Sequence, residues 1–198
     1  MKVLLLATAL FLGLGYRSLP AAAIVAHRGA SHAAPENTLA SERLAWAEGA
    51  DAVETDIHLT RDGRIIVLHD ANCRRTTGRD AEIADLTFAE ARTLDAGKWK
   101  DAKFAGERLP SLDEQLALVP EGKRLLVEIK TGPEIVPELA RVLAHAGAAA
   151  SRVTLISFNF DALRAAHENC PRSQRSGWSV GARRKSTRPR LPRRTSAP

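Results

Sequence analysis

The sequence predicts an α/β protein, a parallel sheet with helices packed outside it. Two observations lead there: short β-branched apolar runs bounded by Gly, Asp and Arg-Asp-Gly turn signals, and helical segments with start and stop residues lying between those runs. Ile24–Ala26 reads as the first strand. A helix follows over Asn37–Glu48, with Asn37 or Thr38 as its N-cap, Leu39 and Leu44 at roughly helical spacing, and Gly49 at the position where helices stop. Ala52–Val53 running into Ile57–Leu59 is the second strand, and Arg64–Leu68 the third. Leu109–Glu114 opens a short helix, Leu125–Lys130 is a strand, about Pro133 to His145 is a helix, Val153–Ser157 is a strand and Asp161–Asn169 is a helix. Strands alternating with helices favour parallel pairing, because a parallel connection needs a crossover.

The chemistry sits where these strands end. Side chains two apart on a strand share a face, so Glu54 and Asp56 point together while Thr55 points away. Two neighbouring carboxylates repel unless a cation or proton lies between them, which leaves two readings: pairing with Lys or Arg across the sheet, or a shared metal ion. Glu128, near the end of another apolar strand, adds a third carboxylate, with Lys130 on its face. Three carboxylates without Cys or His at zinc spacing suit a hard, oxygen-seeking cation, Mg²⁺ or Ca²⁺. His27 and His69 each follow a strand, and an imidazole titrating near ~6.5 can give or take a proton at neutral pH; each read alone is equally a hydrogen-bonded structural histidine. Arg28 offers a planar fork and Lys130 a compact charge for phosphate oxygens, with a salt bridge from Arg28 to Glu36 as the plainer alternative.

The ordered series His27-Arg28-Gly29, Pro35-Glu36-Asn37-Thr38, Glu54-Thr55-Asp56, His69-Asp70, Leu109-Pro110-Ser111-Leu112-Asp113-Glu114 and Glu128-Ile129-Lys130 resembles the glycerophosphodiester phosphodiesterase family. The resemblance covers roughly residues 24–170. It implies a TIM-type (β/α)₈ barrel with the site at the carboxyl ends of the strands, here with about five strands. By matching positions it implies that Glu54, Asp56 and Glu128 hold one divalent cation, Ca²⁺ or Mg²⁺, that His27 and His69 are the acid–base pair, and that Arg28 and Lys130 bind phosphate. The implied substrate is a small glycerophosphodiester, split to glycerol 3-phosphate and an alcohol. Two rivals stand beside it: a barrel phospholipase acting on phosphoinositides or sphingolipids, and an inactive fragment or exported protein that binds anionic surfaces.

Other polar and aromatic residues carry less. Ser31 and His32 lie in the loop after the first strand and read as solvated, with lining the site as the alternative, and for His58 a place behind the site is the less favoured reading. Trp99 and Phe104 read as packing against a helix, with an apolar wall for the leaving alcohol as the alternative, and His145 and His167 as surface residues.

The ends differ in composition from the middle. Residues 1–23 read as an export signal: Lys2 precedes an apolar run from Val3 to Tyr16, and Ala21, Ala22 and Ala23 supply small residues for cleavage, so the expected location is periplasmic or secreted with no integral membrane span after cleavage. Of the 29 Lys and Arg, nine fall in residues 171–198, which hold no acid; the other 20 face 23 acidic residues, so the basicity belongs to the tail. No aromatic interleaving supports nucleic-acid binding there, and the abrupt loss of periodicity reads as a truncated or out-of-frame end to a domain over residues 24–170. Nothing in the spacing of Cys73 and Cys170 pairs them.

Overall fold

A computed structural model of the chain describes residues 22–170 together with the backbone of Ser179–Val180. The export signal read over residues 1–23 and the tail read over residues 171–198 fall almost wholly outside the described residues. Among the described residues no helix is long and apolar enough to cross a membrane.

The sheet is built from β1 (Val25–His27), β2 (Ala52–Leu59), β3 (Ile65–Val67), β4 (Arg124–Ile129), β5 (Val153–Ser157) and β6 (Ser179–Val180). The helices are α1 (Leu39–Ala47), α2 (Arg74–Thr77), α3 (Phe88–Ala91), α4 (Leu112–Leu118), α5 (Val136–Ala146) and α6 (Phe160–Asn169), with short 3₁₀ turns between them. Five strands run parallel in the order β1-β2-β4-β5-β6, and β3 pairs antiparallel with β2, off that path. The sequence pattern places the third strand among the alternating parallel ones, and the structure corrects this. Only Thr60–Arg64 joins β2 to β3, too few residues for a crossover, so the chain can only fold back. Gly63 takes φ 73° at that reversal, and Thr60 receives the Arg64 turn through both its backbone and its hydroxyl.

The helix starts follow their side-chain chemistry. Thr38 caps α1 in a box with Ser41, and Ser111 caps α4 in a box with Glu114, each satisfying backbone N–H groups that a first helical turn leaves unpaired. Asn37, the other cap candidate, is thereby free for a different task. Gly49 follows α1 with φ 86°. Pro137 sits in the first turn of α5, where its missing N–H costs no helical bond.

Two cores hold these elements. Val53, Ile57, Leu125, Val127, Ile129, Val153 and Leu155 face the helices and bury Leu112, Leu116, Leu139, Val142, Leu143 and Leu163 against them. The opposite face of β2 and β4 carries Glu54, Asp56, His58 and Glu128, all buried. A smaller core of Ile66, Leu68, Cys73, Ile83, Ala91, Ala96 and Leu109 fixes the stretch between β3 and α4, for which the sequence offers no strong periodicity. Local polar bonds complete it: Asp95 accepts from the N–H groups of Gly97, Lys98 and Gly106, and Arg92 donates to the Leu109 carbonyl and Glu114. Trp99 is 40% exposed and donates its indole N–H to the Ala96 carbonyl. Cys73 and Cys170 are both free thiols.

One charge lies apart from the site. Glu42 of α1 is fully buried; its Oε1 accepts from the Trp46 indole 3.2 Å away, and its Oε2 has no hydrogen-bond partner. Burial pushes its pKa up to about 8, with the Trp46 bond offsetting only part. Because the folded chain holds this proton more tightly than the unfolded chain, stability falls as pH rises from the ordinary Glu value through 8, losing about 1.4 kcal/mol for each pH unit in that window. Glu42→Gln removes that dependence: its melting temperature should exceed that of the wild type at pH 8 by several degrees and approach it at pH 5, as followed by circular dichroism.

Candidate active site

The register of the sheet assembles the acidic cluster. β2 and β4 pair so that Asp56 stands opposite Glu128, and β1 and β2 pair so that His27 stands opposite Glu54. One oxygen from each of Glu54, Asp56 and Glu128 lies within 4.8 Å of the others. Asp56 is completely buried and Glu54 and Glu128 nearly so. Burial and the neighbouring Asp56 carboxylate raise the pKa of Glu54 to about 7, against the opposing bond from the Arg28 N–H.

Two cations lean on this cluster. Lys130 Nζ donates to Glu128 Oε1 at 3.0 Å and lies 3.4 Å from Asp56 Oδ1. Arg28 places its backbone N–H 3.0 Å from Glu54 Oε2, its Nε 3.4 Å from Asp56 Oδ2, and its Nη1 3.1 Å from Glu36 Oε1. The pairing of Arg28 with Glu36 and its approach to the acids, alternatives in the sequence, therefore coexist. Even so, Glu54 Oε1 is buried without a hydrogen-bond donor, and Asp56 Oδ1 has the Lys130 ammonium at 3.4 Å but no hydrogen bond. Buried oxygens left so are expensive unless a cation meets them, and an all-carboxylate set matches a hard divalent ion.

The loop from β1 to α1 positions Arg28 through backbone shape. Arg28 has φ 60° and Gly29 φ 77°. A Cβ on Gly29 would stand 2.5 Å from Ser41 Oγ and 2.7 Å from the Ser41 backbone carbon, so only glycine fits this approach of loop to helix. Ser41 also accepts the Ala30 N–H through its carbonyl and donates its hydroxyl to the Arg28 carbonyl. Ser31 ties the same loop by donating to the His27 carbonyl, while His32 is exposed, in keeping with solvation.

The two histidines are held differently. His27 has its Nε2 3.7 Å from Glu54 Oε2 and its side chain open to solvent. His69 has its Nδ1 2.6 Å from Asp70 Oδ1. A carboxylate can only accept, so Nδ1 carries the proton and Nε2 is the nitrogen left for reaction. His58, buried on the face of Asp56, puts its Nε2 3.1 Å from the His69 carbonyl, and must donate there. Burial lowers the pKa of His58, keeping it neutral.

Asn37, in sequence no more than a possible helix cap, does more. With φ 57°, it donates from Nδ2 to Asp56 Oδ2 at 2.8 Å, while its Oδ1 accepts from the Thr55 hydroxyl at 3.0 Å and the Asp56 N–H at 3.3 Å. Asparagine tolerates left-handed backbone better than most residues, and that is the signal the sequence carries. Glu36, Asp70 and Arg75 also join the surroundings of the site through ion pairs, Arg75 reaching both acids.

Comparison with known proteins follows the geometry. The model of the glycerophosphoryl diester phosphodiesterase family matches residues 27–197. A glycerophosphodiester phosphodiesterase of Caldanaerobacter subterraneus subsp. tengcongensis is 39% identical over 152 residues, covering 75% of this chain and 63% of its own. The crystal structure of an Oleispira antarctica phosphodiesterase in complex with the product sn-glycerol-3-phosphate matches at TM-score 0.70 and 35% identity, over 74% of this chain and 62% of that one. A glycerophosphodiester phosphodiesterase of Agrobacterium tumefaciens matches at TM-score 0.67 and 33% identity, over the same shares. The chain thus spans less than two thirds of the length of these relatives, and its parallel strands are part of a TIM-type (β/α)₈ barrel. Sequence motifs, strand register and these matches agree that the chain belongs to the glycerophosphoryl diester phosphodiesterase family.

Proposed function

We propose that this chain hydrolyses glycerophosphodiesters to glycerol 3-phosphate and an alcohol, with Glu54, Asp56 and Glu128 as ligands of one divalent cation and His27 and His69 as the acid–base pair. The observation that carries the reading is the meeting of three buried carboxylates with Arg28 and Lys130 beside the carboxyl ends of β1 and β4. Barrel enzymes work at that end.

The donor set fits Mg²⁺ or Ca²⁺, and such an ion supplies positive charge that polarises a phosphoryl group. The residues of the chain account for the remaining work. Arg28 and Lys130 orient the phosphodiester and offset charge on its equatorial oxygens. His69, its Nδ1 proton committed to Asp70, presents Nε2 for transfer, and the exposed His27 supplies the second imidazole. One removes the proton of the nucleophile, a water or the neighbouring glycerol hydroxyl, and the other protonates the departing alkoxide; where the hydroxyl attacks, a water then opens the cyclic phosphate to glycerol 3-phosphate with the two imidazoles exchanging roles. Asn37 keeps Asp56 from turning away from the cluster.

The test is glycerol 3-phosphate release from glycerophosphocholine with Ca²⁺, Mg²⁺ or EDTA. We expect turnover with a divalent ion, none with EDTA, and a loss of about 100-fold or more in kcat for His27→Ala and for His69→Ala. Turnover indifferent to EDTA, or none under any condition, would overturn the reading.

Cation binding can be followed without turnover. By calorimetry, Asp56→Asn should abolish tight binding of the ion, whereas Asn37→Ala should weaken it about 10- to 100-fold, the range for a group that orients a ligand. The same reading places the protein outside the cytoplasm, supported by the apolar run after Lys2; sequencing the exported form should find its first residue near Ile24.

A further inference from the structure

A chain of ion pairs runs across the mouth of the site, and one residue closes it. Arg75, on the short helix α2, donates from Nε to Asp70 Oδ2 at 2.6 Å and from Nη1 and Nη2 to the two oxygens of Glu36 at 2.9 and 2.7 Å. Asp70 in turn holds His69 Nδ1 at 2.6 Å, and Glu36 accepts from Arg28 Nη1 at 3.1 Å, whose Nε lies 3.4 Å from Asp56. The order is therefore His69, Asp70, Arg75, Glu36, Arg28, Asp56. It joins a histidine after β3 to the arginine after β1, two strands that each pair with β2.

The electrostatics match the geometry. The Arg75 bond is the chief reason that Asp70 is held down at about 2, so it stays a carboxylate and an acceptor for His69 across the working pH range. Burial alone would raise Glu36, yet Arg75 and Arg28 together hold it below the ordinary Glu value. The planar fork spans the two acids with three N–H groups held in fixed directions, an arrangement that the single nitrogen of a lysine does not reproduce. Arg74, the neighbouring residue, shows the contrast: it is largely exposed and lies 3.6 Å from Asp80 alone.

Resting on the proposed phosphodiesterase activity, we propose that Arg75 is a positioning residue, which fixes the His69–Asp70 pair relative to the phosphate-binding Arg28 by spanning Asp70 and Glu36. It touches no reacting atom. Its effect is on the angle and place of the His69 ring, and misplacement of a proton-transfer group by about 1 Å can cost roughly 100-fold in rate.

The test compares full-length wild type, Arg75→Ala, Arg75→Lys and Arg74→Ala by kinetics, thermal unfolding and NMR of ¹⁵N-labelled histidine. For Arg75→Ala we expect kcat to fall about 10- to 100-fold with KM rising less than about threefold, because Arg28 keeps Glu36 and Asp56. The resonance of the His69 Nδ1 proton should shift or vanish, with the melting temperature within a few degrees of wild type. Arg75→Lys should not restore kcat, millimolar guanidinium added to Arg75→Ala should restore part of it, and Arg74→Ala should behave as wild type. An unmoved His69 resonance with wild-type kcat overturns the proposal. So does a loss of activity that merely tracks unfolding. If the wild type shows no turnover with any cation, the activity reading fails by itself, and the His69 resonance alone decides the role of Arg75: moved in Arg75→Ala it supports positioning, unmoved it overturns it.

Discussion

Three carboxylates buried on one face of two adjacent strands are the constraint that the surrounding structure answers. At the separation seen here, each pair of full charges repels by roughly 3 kcal/mol at an effective dielectric near 20, before the cost of burying either charge. A folded state keeps such a cluster only by bringing charge or hydrogen-bond donors to it. Lys130 and Arg28 bring positive charge, the Arg28 N–H reaches Glu54, and Asn37 reaches Asp56. Each comes from a different local device: Lys130 follows β4 directly, and the other two depend on a loop whose shape is set several residues away.

That loop carries the backbone strain of the site. Arg28 and Asn37 are the described residues other than glycine with positive φ, and each such residue costs on the order of 1 kcal/mol. The cost is met by bonds that exist only in this shape. The Arg28 N–H turns onto Glu54, the Arg28 carbonyl accepts the Asn37 N–H, and the Asn37 amide caps both Thr55 and Asp56. Gly29 between loop and Ser41 lets these segments close without a side chain in the gap. Strain and ligand orientation are one feature here: a relaxed loop would carry Asn37 away from Asp56.

Much of this is legible in the sequence, and the unread parts have physical causes. The two-residue period of a strand places Glu54 with Asp56, and capping chemistry places the start of α1; both are local rules and both hold. The opposition of Asp56 to Glu128 is not local, because register between strands separated by a long crossover is set by packing of the intervening helices. The third strand falls in with the parallel set by composition, which is right for a strand; its direction follows from the five residues that precede it, which a count of connection length reveals. Arg75 lies in a segment without hydrophobic periodicity, and its partners are 39 residues back and five residues back, so only folding brings the fork to both.

Charge balance joins these observations to the proposed activity. Glu54, Asp56 and Glu128 against Arg28 and Lys130 leave one negative charge when all five groups are ionised. Near neutral pH the raised Glu54 can absorb that charge by holding a proton. A divalent ion reverses the excess to one positive charge, which a phosphodiester, carrying one negative charge, cancels. On the proposed function, the same two cations that steady the carboxylates in this structure would be released in part for a phosphate once another positive charge takes up the carboxylates. Substitution of Arg28 or Lys130 would then act on two states at once: it would remove the proposed phosphate contact, and it leaves a buried carboxylate short of a partner. A rate loss at either position measures the sum, and the stability of the ion-free protein measures the second part alone.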